Sequence, residues 1–109
     1  MASIIEGDTF TQVVHFAVEP ERQAELIEAI TAEVERWVRH CPGFVSSSFH
    51  ASLDGRHVLN YAQWRTEADF VAFTRHPEGE RLGTAVRAAK PLAGPGAVRY
   101  HATRVINAP

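Results

Sequence analysis

The chain has 109 residues, of which 11 are basic and 13 acidic, so its formal net charge is −2. This length predicts one domain, residues 1–109, with a real hydrophobic core. The small net charge predicts neither nucleic acid nor an anionic membrane as a partner, and the apolar runs are far shorter than the roughly 20 residues of a membrane-spanning helix. Since the first residues also lack the basic start of a secretory signal, we expect a cytoplasmic protein whose partners are neutral or apolar.

A strand is predicted first, over residues 10–18, because β-branched and aromatic side chains dominate there. A helix then opens at Pro20, and apolar residues at steps of three and four continue its buried stripe to Cys41. Pro42 and Gly43 end this helix, since proline has no N–H and glycine accepts turn dihedrals.

The next two predicted strands, residues 44–52 and 57–65, are joined by a hairpin in which an Asp-Gly pair supplies the positive φ of a short turn. Neither face of the second of them is plainly polar. One face carries Val58, Asn60, Ala62 and Trp64, and the other carries Leu59, Tyr61 and Gln63. A strand with two apolar faces is covered on both sides, so the Asn60 amide and the Trp64 indole N–H each need a partner. A bound molecule is one candidate.

Two helical segments and a last strand complete the chain. Thr66 is the predicted N-cap of the first segment, which stops at Pro77, and the second segment covers residues 78–89. Residues 90–96 are predicted as a loop rich in proline and glycine, and residues 98–106 as the last strand.

The order of these elements, βαββαβ, predicts a ferredoxin-like α+β sandwich with both helices on one face of an antiparallel sheet. The other sheet face is left bare. Because three of the strands carry apolar residues on both faces, we expect a second copy of the chain to cover it, which predicts a homodimer.

The first and third strands are central neighbours in this topology. His15 therefore stands beside Asn60 if both side chains point to the same face of the sheet and the strand register aligns them. His15 is otherwise a core histidine with one hydrogen bond. Asn60 is harder to explain as packing, since asparagine is depleted in strands and a buried amide has four hydrogen-bonding valences. Trp64 is either a core residue or the floor of an aromatic pocket. The other rings predicted to line this helix–sheet space are Trp37, Phe70 and Phe73.

The sequence has six histidines and one cysteine. The histidines are not spaced like metal ligands, and neither a glycine-rich phosphate loop nor a nucleophile elbow is present. The single cysteine, Cys41, excludes an internal disulfide and is predicted to be a small buried hydrophobe rather than a nucleophile. We therefore predict no metal and no cofactor.

Several motifs resemble those of the antibiotic biosynthesis monooxygenase family. They are Pro42-Gly43-Phe44, the run from Phe49 to Gly55, Asn60-Tyr61-Ala62-Gln63-Trp64, and Phe70. Within the family, the chain is most similar to small cofactor-independent quinone-forming monooxygenases of aromatic polyketide pathways, over nearly its whole length. The resemblance implies a homodimeric α+β barrel with a pocket in each subunit between sheet and helices. In such a pocket an anthrone-like or naphthacenone-like phenol is oxidised to a quinone, with O₂ as co-substrate.

The resemblance also implies roles for individual residues. Asn60 and Trp64 match the functional pair of such enzymes. His15 takes the place of an asparagine that some members have on the first strand, and Phe70 takes that of a helix tyrosine. In this chemistry N–H donors stabilise a developing oxyanion, and a neutral His15 accepts the proton. A basic residue of the family corresponds to one of two substrate-binding candidates, Arg81 and Arg87.

Two other functions stay open. Haem degradation on the same fold needs an axial histidine on the second helix and an asparagine on the first strand. Here His76 precedes Pro77 at a helix break, and the first strand has no asparagine. The second alternative is a non-catalytic dimeric module that binds an aromatic metabolite.

Overall fold

The computed structural model describes residues 9–101 and 103–109 of the chain. Its four strands form one antiparallel sheet in the order β2-β3-β1-β4. The strands are β1 Phe10–Ala17, β2 Phe44–Ala51, β3 His57–Trp64 and β4 Ala93–His101. The helices are α1 Gln23–Arg36, α2 Glu67–Thr74 and α3 Gly79–Ala88, with short 3-10 turns at Pro20–Arg22 and Val38–His40. The predicted ferredoxin-like α+β sandwich is thereby confirmed.

Side-chain hydrogen bonds help to fix the connections between the elements. The side-chain amide of Gln23, at the start of α1, donates to the carbonyl oxygen of His57 at 2.9 Å and so ties this helix to the β2–β3 hairpin. The hydroxyl of Thr66 caps α2 by accepting the Asp69 N–H at 3.1 Å. Gly43 has φ +82°, and a Cβ at this position would overlap the Asp69 carboxylate, so the turn before β2 requires glycine.

All three helices pack on one face of the sheet, where two apolar clusters form the core. In the first cluster, Leu26 and Ile30 of α1 contact Phe16 and Val58. In the second, the rings of Phe10, Trp37, Trp64 and Phe70 pack together with Val38. The opposite face carries the alternate residues of the same strands, and there Val98 is 52% exposed and Tyr100 49% exposed.

The last strand differs from its prediction at both ends. It begins at Ala93, inside the predicted loop, and ends at His101, before the predicted end at Ile106. Gly94 and Pro95 lie at a bulge, where the pairing with β1 shifts between His15 and Ala17. Because β4 is an edge strand, a proline without an N–H is tolerated there.

Candidate active site

A cavity of about 630 Å³ lies between the sheet and α3. This volume is within the range of about 300 to 1,000 Å³ that is typical of small-molecule sites. The sheet side of the cavity is lined by Gln12, Val14, Phe16, Asn60 and Ala97. The helical side is lined mainly by Ile30, Phe73, Leu82, Val86, Arg87 and Lys90. The cavity is therefore apolar over most of its wall, with a few polar side chains.

Asn60 lies at the middle of β3, where it is half-buried and lines the cavity. Its backbone pairs with Val14 on β1 and with Phe49 on β2. Its amide oxygen Oδ1 accepts a hydrogen bond from the hydroxyl of Ser47 at 2.6 Å. The predicted need for a partner is thus met in part inside the protein, by a β2 residue that the sequence analysis did not single out.

His15 does not stand beside Asn60, so that prediction is wrong. The β1–β3 register pairs His15 with Leu59 and Val14 with Asn60. Because neighbouring residues of a strand point to opposite faces, His15 lies on the face away from the cavity. It is exposed there, and its ring stacks on that of His57 with centroids 5.5 Å apart.

Gln12 is the polar β1 residue that lines the cavity. It shares the cavity face with Val14 and Phe16, two positions apart along the strand. The signal for Gln12 was present in the alternation of β1. To use that signal one must know which face of β1 lies on the same side of the sheet as Asn60. Only the pairing register between β1 and β3 gives this.

Trp64 is almost fully buried, with 1% of its surface exposed. Its indole stacks on Phe73 with ring centroids 4.9 Å apart and meets Phe44 edge-on at 5.4 Å. Since Phe73 lines the cavity, Trp64 supports the wall from behind.

The rings predicted to share the helix–sheet space do lie together. Phe70 stacks on Phe10 at 4.9 Å, and Trp37 stacks on Phe73 at 5.6 Å. Phe73 is the one of the three that lines the cavity within the part of the chain described. Phe70 and Trp37 belong to the layer behind it, with 2% and 7% of their surfaces exposed.

Of the two predicted basic residues, the structure brings Arg87 to the cavity wall. Its guanidinium Nη2 donates to the hydroxyl of Thr84 at 3.2 Å. Arg81 instead pairs with Glu33, with 3.4 Å between Nε and the carboxylate, and is not among the described residues that line the cavity. Of the two alternatives, Arg87 is therefore the one that the structure places at the cavity, while an ion pair with α1 engages the guanidinium of Arg81.

Glu33 is a buried carboxylate with 6% of its surface exposed. It accepts hydrogen bonds from the Trp37 indole N–H at 3.1 Å and from Arg36 at 3.3 Å. Burial alone would raise the pKa of Glu33, but the hydrogen bonds from Arg36 and Trp37 and the charges of Arg36 and Arg81 lower it below its usual value. Arg36 also bonds Glu78 at 3.0 Å. This network ties α1 to the start of α3, one wall of the cavity.

The titratable side chains on the cavity wall are cationic. Among the described residues, Arg87 and Lys90 line the cavity, and no carboxylate or imidazole does. Such a wall favours an anionic ligand and provides no general base of its own.

Burial raises the pKa of the Cys41 thiol, whose Sγ donates weakly to the Trp37 carbonyl oxygen at 3.8 Å, so this residue behaves as a packing residue.

His76, the histidine relevant to haem ligation, is engaged in packing. Its ring stacks on Trp37 with centroids 4.5 Å apart, and its Nδ1 accepts the backbone N–H of Glu78 at 3.1 Å.

Within residues 9–101 and 103–109, no three His, Cys, Asp or Glu side chains are grouped so as to hold a metal ion. None of the helices in these ranges has the length and apolar character needed to cross a membrane.

The sequence profile of the antibiotic biosynthesis monooxygenases matches residues 9–85. The chain therefore belongs to the antibiotic biosynthesis monooxygenase family, as its motifs predicted. It is 53% identical over 70 residues to tetracenomycin-F1 monooxygenase of Streptomyces glaucescens, in an alignment that covers 64% of this chain and 62% of that protein. The chain thus spans less than two thirds of the length of this curated relative.

Two crystal structures extend the comparison to the fold. The ActVA-Orf6 monooxygenase of Streptomyces coelicolor, in complex with nanaomycin D, superposes with a TM-score of 0.83 and 39% identity over 92% of both chains. SnoaB of Streptomyces nogalater, a cofactor-independent oxygenase, superposes with a TM-score of 0.71 over 92% of this chain and 98% of that one. At 22% identity the second match supports the fold alone.

Proposed function

We propose that the protein is a cofactor-independent monooxygenase that oxidises an anthrone-like or naphthacenone-like aromatic polyketide to a quinone with O₂. The observation that carries this proposal is the composition of the cavity, which has apolar walls, two side-chain amides and two cations. A flat polycyclic phenol that ionises in the site matches such a wall. The similarity to a tetracenomycin-F1 monooxygenase and to a monooxygenase solved with nanaomycin D supports the same substrate class.

The proposed reaction converts a ring CH₂ and O₂ into a ring C=O and water. Loss of one C–H proton gives an enolate, which is stabilised by the adjoining rings and ketone. The enolate passes one electron to O₂, and the resulting radical and superoxide combine to a peroxide anion. This anion takes up one proton to give a hydroperoxide, and loss of water leaves the quinone carbonyl. The substrate supplies all the electrons, so the protein needs no redox cofactor.

In this proposal the protein's task is to favour the enolate over the neutral ketone. The Asn60 amide donates to the developing oxyanion in a cavity with little water. Positive charge from Arg87 and Lys90 lowers the pKa of the substrate's C–H group, because an opposite charge nearby stabilises the ionised form. Because no carboxylate or imidazole among the described residues lines the cavity, the proton is released to a solvent water molecule. Phe73, which is supported from behind by Trp64, packs against the aromatic rings, and Gln12 offers a second amide.

We also propose that two copies of the chain pair through the sheet face that lies away from the cavity. The exposed side chains of Val98 and Tyr100 lie there, beside a shallow depression lined by Val13 and Tyr61. A sheet face with such apolar groups is typical of an interface between copies. Light scattering is expected to give a dimer for the wild type and a monomer for Tyr100→Glu. A wild type that is monomeric at micromolar concentration would contradict the pairing. A cytoplasmic location stays a prediction from the sequence.

Oxygen consumption with an anthrone as substrate tests the proposed activity. After dialysis against a chelator, the wild type is expected to consume one O₂ per quinone formed, well above the spontaneous rate in a protein-free control. Asn60→Ala is expected to lose most of this excess. Tight binding of the anthrone without O₂ uptake would instead support the non-catalytic binding module.

A further inference from the structure

Ser47 and Asn60 lie on the same face of the sheet, on neighbouring strands. Ser47 pairs with Ala62 and Phe49 pairs with Asn60, so Ser47 is the diagonal neighbour of the amide. The distance from the Ser47 hydroxyl to Oδ1 of Asn60 is 2.6 Å, at the short end for an O–H···O hydrogen bond. Both side chains are partly buried.

The direction of this hydrogen bond decides which end of the amide stays available. The hydroxyl donates to Oδ1, so the oxygen is engaged on the β2 side. The N–H bonds of Nδ2 branch away from that oxygen and remain donors. If the amide were turned over, its oxygen would instead face a bound anion and repel it.

The same hydrogen bond strengthens the amide as a donor. A proton donated to an amide oxygen draws electron density from the nitrogen and makes its N–H groups more positive, the usual cooperativity of a hydrogen-bond chain. An oxyanion bound to Nδ2 would therefore be the third member of a chain that begins at the serine hydroxyl.

We propose that Ser47 is a positioning residue that fixes and polarises the Asn60 amide, so that its NH₂ group faces the oxyanion of the substrate. This inference rests on the proposed function, in which Asn60 stabilises an enolate. It assigns to β2 a part in the site, although Ser47 does not line the cavity in the part of the chain described.

Ser48 provides a matched control, because it is the same residue type one position along the same strand. It lies on the opposite sheet face, where its hydroxyl is 3.0 Å from Nε2 of His50. Ser48→Ala therefore removes a hydroxyl from β2 without reaching the cavity. Ser47→Thr keeps a hydroxyl at the site in a residue that strands tolerate well.

The first test is kinetic, with an anthrone as substrate. Ser47→Ala is expected to lower kcat about fivefold, the effect of one modest hydrogen bond, with KM changed less. Ser47→Thr is expected to recover most of kcat, and Ser48→Ala to stay within about twofold of the wild type. In an Asn60→Ala background, Ser47→Ala is expected to cause no further loss, because its effect passes through the amide. An equal loss in both backgrounds would overturn the proposal.

The second test is independent of turnover and uses 1,8-dihydroxyanthraquinone as the probe. Nuclear magnetic resonance on ¹⁵N-labelled protein follows the side-chain NH₂ of Asn60 while the ionised probe is added. The NH₂ signals are expected to shift downfield in the wild type and in Ser47→Thr, and to shift clearly less in Ser47→Ala. Equal shifts in wild type and Ser47→Ala would overturn the role of Ser47. If the wild type binds the probe but consumes no O₂ with the anthrone, the proposed function fails while this comparison still tests Ser47.

Discussion

Trp64 stacks on Phe73 with ring centroids 4.9 Å apart, and Phe73 forms part of the cavity wall. The indole that the family motif marks as functional therefore lies one ring behind the cavity surface. Its influence on a bound substrate depends on the position of Phe73.

Trp64→Phe tests this arrangement. The substitution removes the larger ring that supports Phe73 and so shifts the cavity wall, and turnover is expected to fall about tenfold while the fold persists. The free energy of unfolding is expected to drop by only about 1 to 2 kcal/mol. Steady-state kinetics and urea unfolding measure the two effects separately. A folded variant with normal turnover would reduce Trp64 to a packing residue.

His15 and Gln12 form a matched pair on one strand, on opposite faces of the sheet. His15→Ala is expected to leave the pH profile of kcat unchanged, because the imidazole faces away from the cavity. Gln12→Ala is expected to raise KM about threefold to tenfold through one lost hydrogen bond to the substrate. Loss of a titrating limb in the His15→Ala profile would contradict the assignment of the faces.

Arg87 and Arg81 form a second pair for comparison, on α3. Among the described residues, Arg87 lines the cavity and Arg81 does not. Arg87→Gln is expected to weaken binding of an ionised hydroxyanthraquinone about tenfold, because a cation is removed from the wall. Arg81→Gln is expected to leave that affinity within about twofold and to cost at most about 1 kcal/mol of stability, since its guanidinium is largely exposed. Fluorescence titration gives both affinities. The reverse order of effects would contradict the placement of the two arginines.

Glu33→Gln tests the buried carboxylate that links α1 to α3. The folded-state pKa of Glu33 is lowered, so its charge adds stability above the pKa of the unfolded chain, and this stability is lost as the pH falls through the folded-state pKa. Urea unfolding at pH 7 is expected to show a loss of about 1 to 3 kcal/mol for the variant.

In acid the difference between Glu33→Gln and the wild type is expected to shrink. Glu35→Gln, on the exposed side of the same helix, serves as the control and is expected to change stability within about 0.5 kcal/mol. A difference for Glu33→Gln that is the same at pH 7 and at pH 3 would show that its charge does not matter.

The fold could be predicted from the sequence because each element carries a local signal. β-branched and aromatic side chains marked β1, the Asp-Gly pair marked the hairpin that leads into β3, and Thr66 marked the start of α2. The start of β4 was missed because proline and glycine indicate a loop locally. Their place at a bulge of an edge strand depends on pairing with β1, which is a tertiary property.

The candidate site was predicted less completely, for two physical reasons. Alternation assigns residues to faces within one strand, but the relation between strands depends on the register, and an error of one residue exchanges the faces. His15 was therefore chosen where Gln12 lies on the cavity wall. The burial of Glu33 could not be predicted either, because the partners that allow it, Arg36, Trp37 and Arg81, meet only in the folded chain.

Isotope labelling of the quinone oxygen tests the central claim most directly. Chelator-treated protein is incubated with an anthrone under ¹⁸O₂ in ordinary water, and mass spectrometry counts the label in the quinone. The proposed reaction predicts one ¹⁸O atom in the new carbonyl, formed at a rate far above the protein-free control and largely lost in Asn60→Ala. A new carbonyl oxygen that comes from water, or a rate no higher than that of the control, would contradict a cofactor-independent monooxygenase.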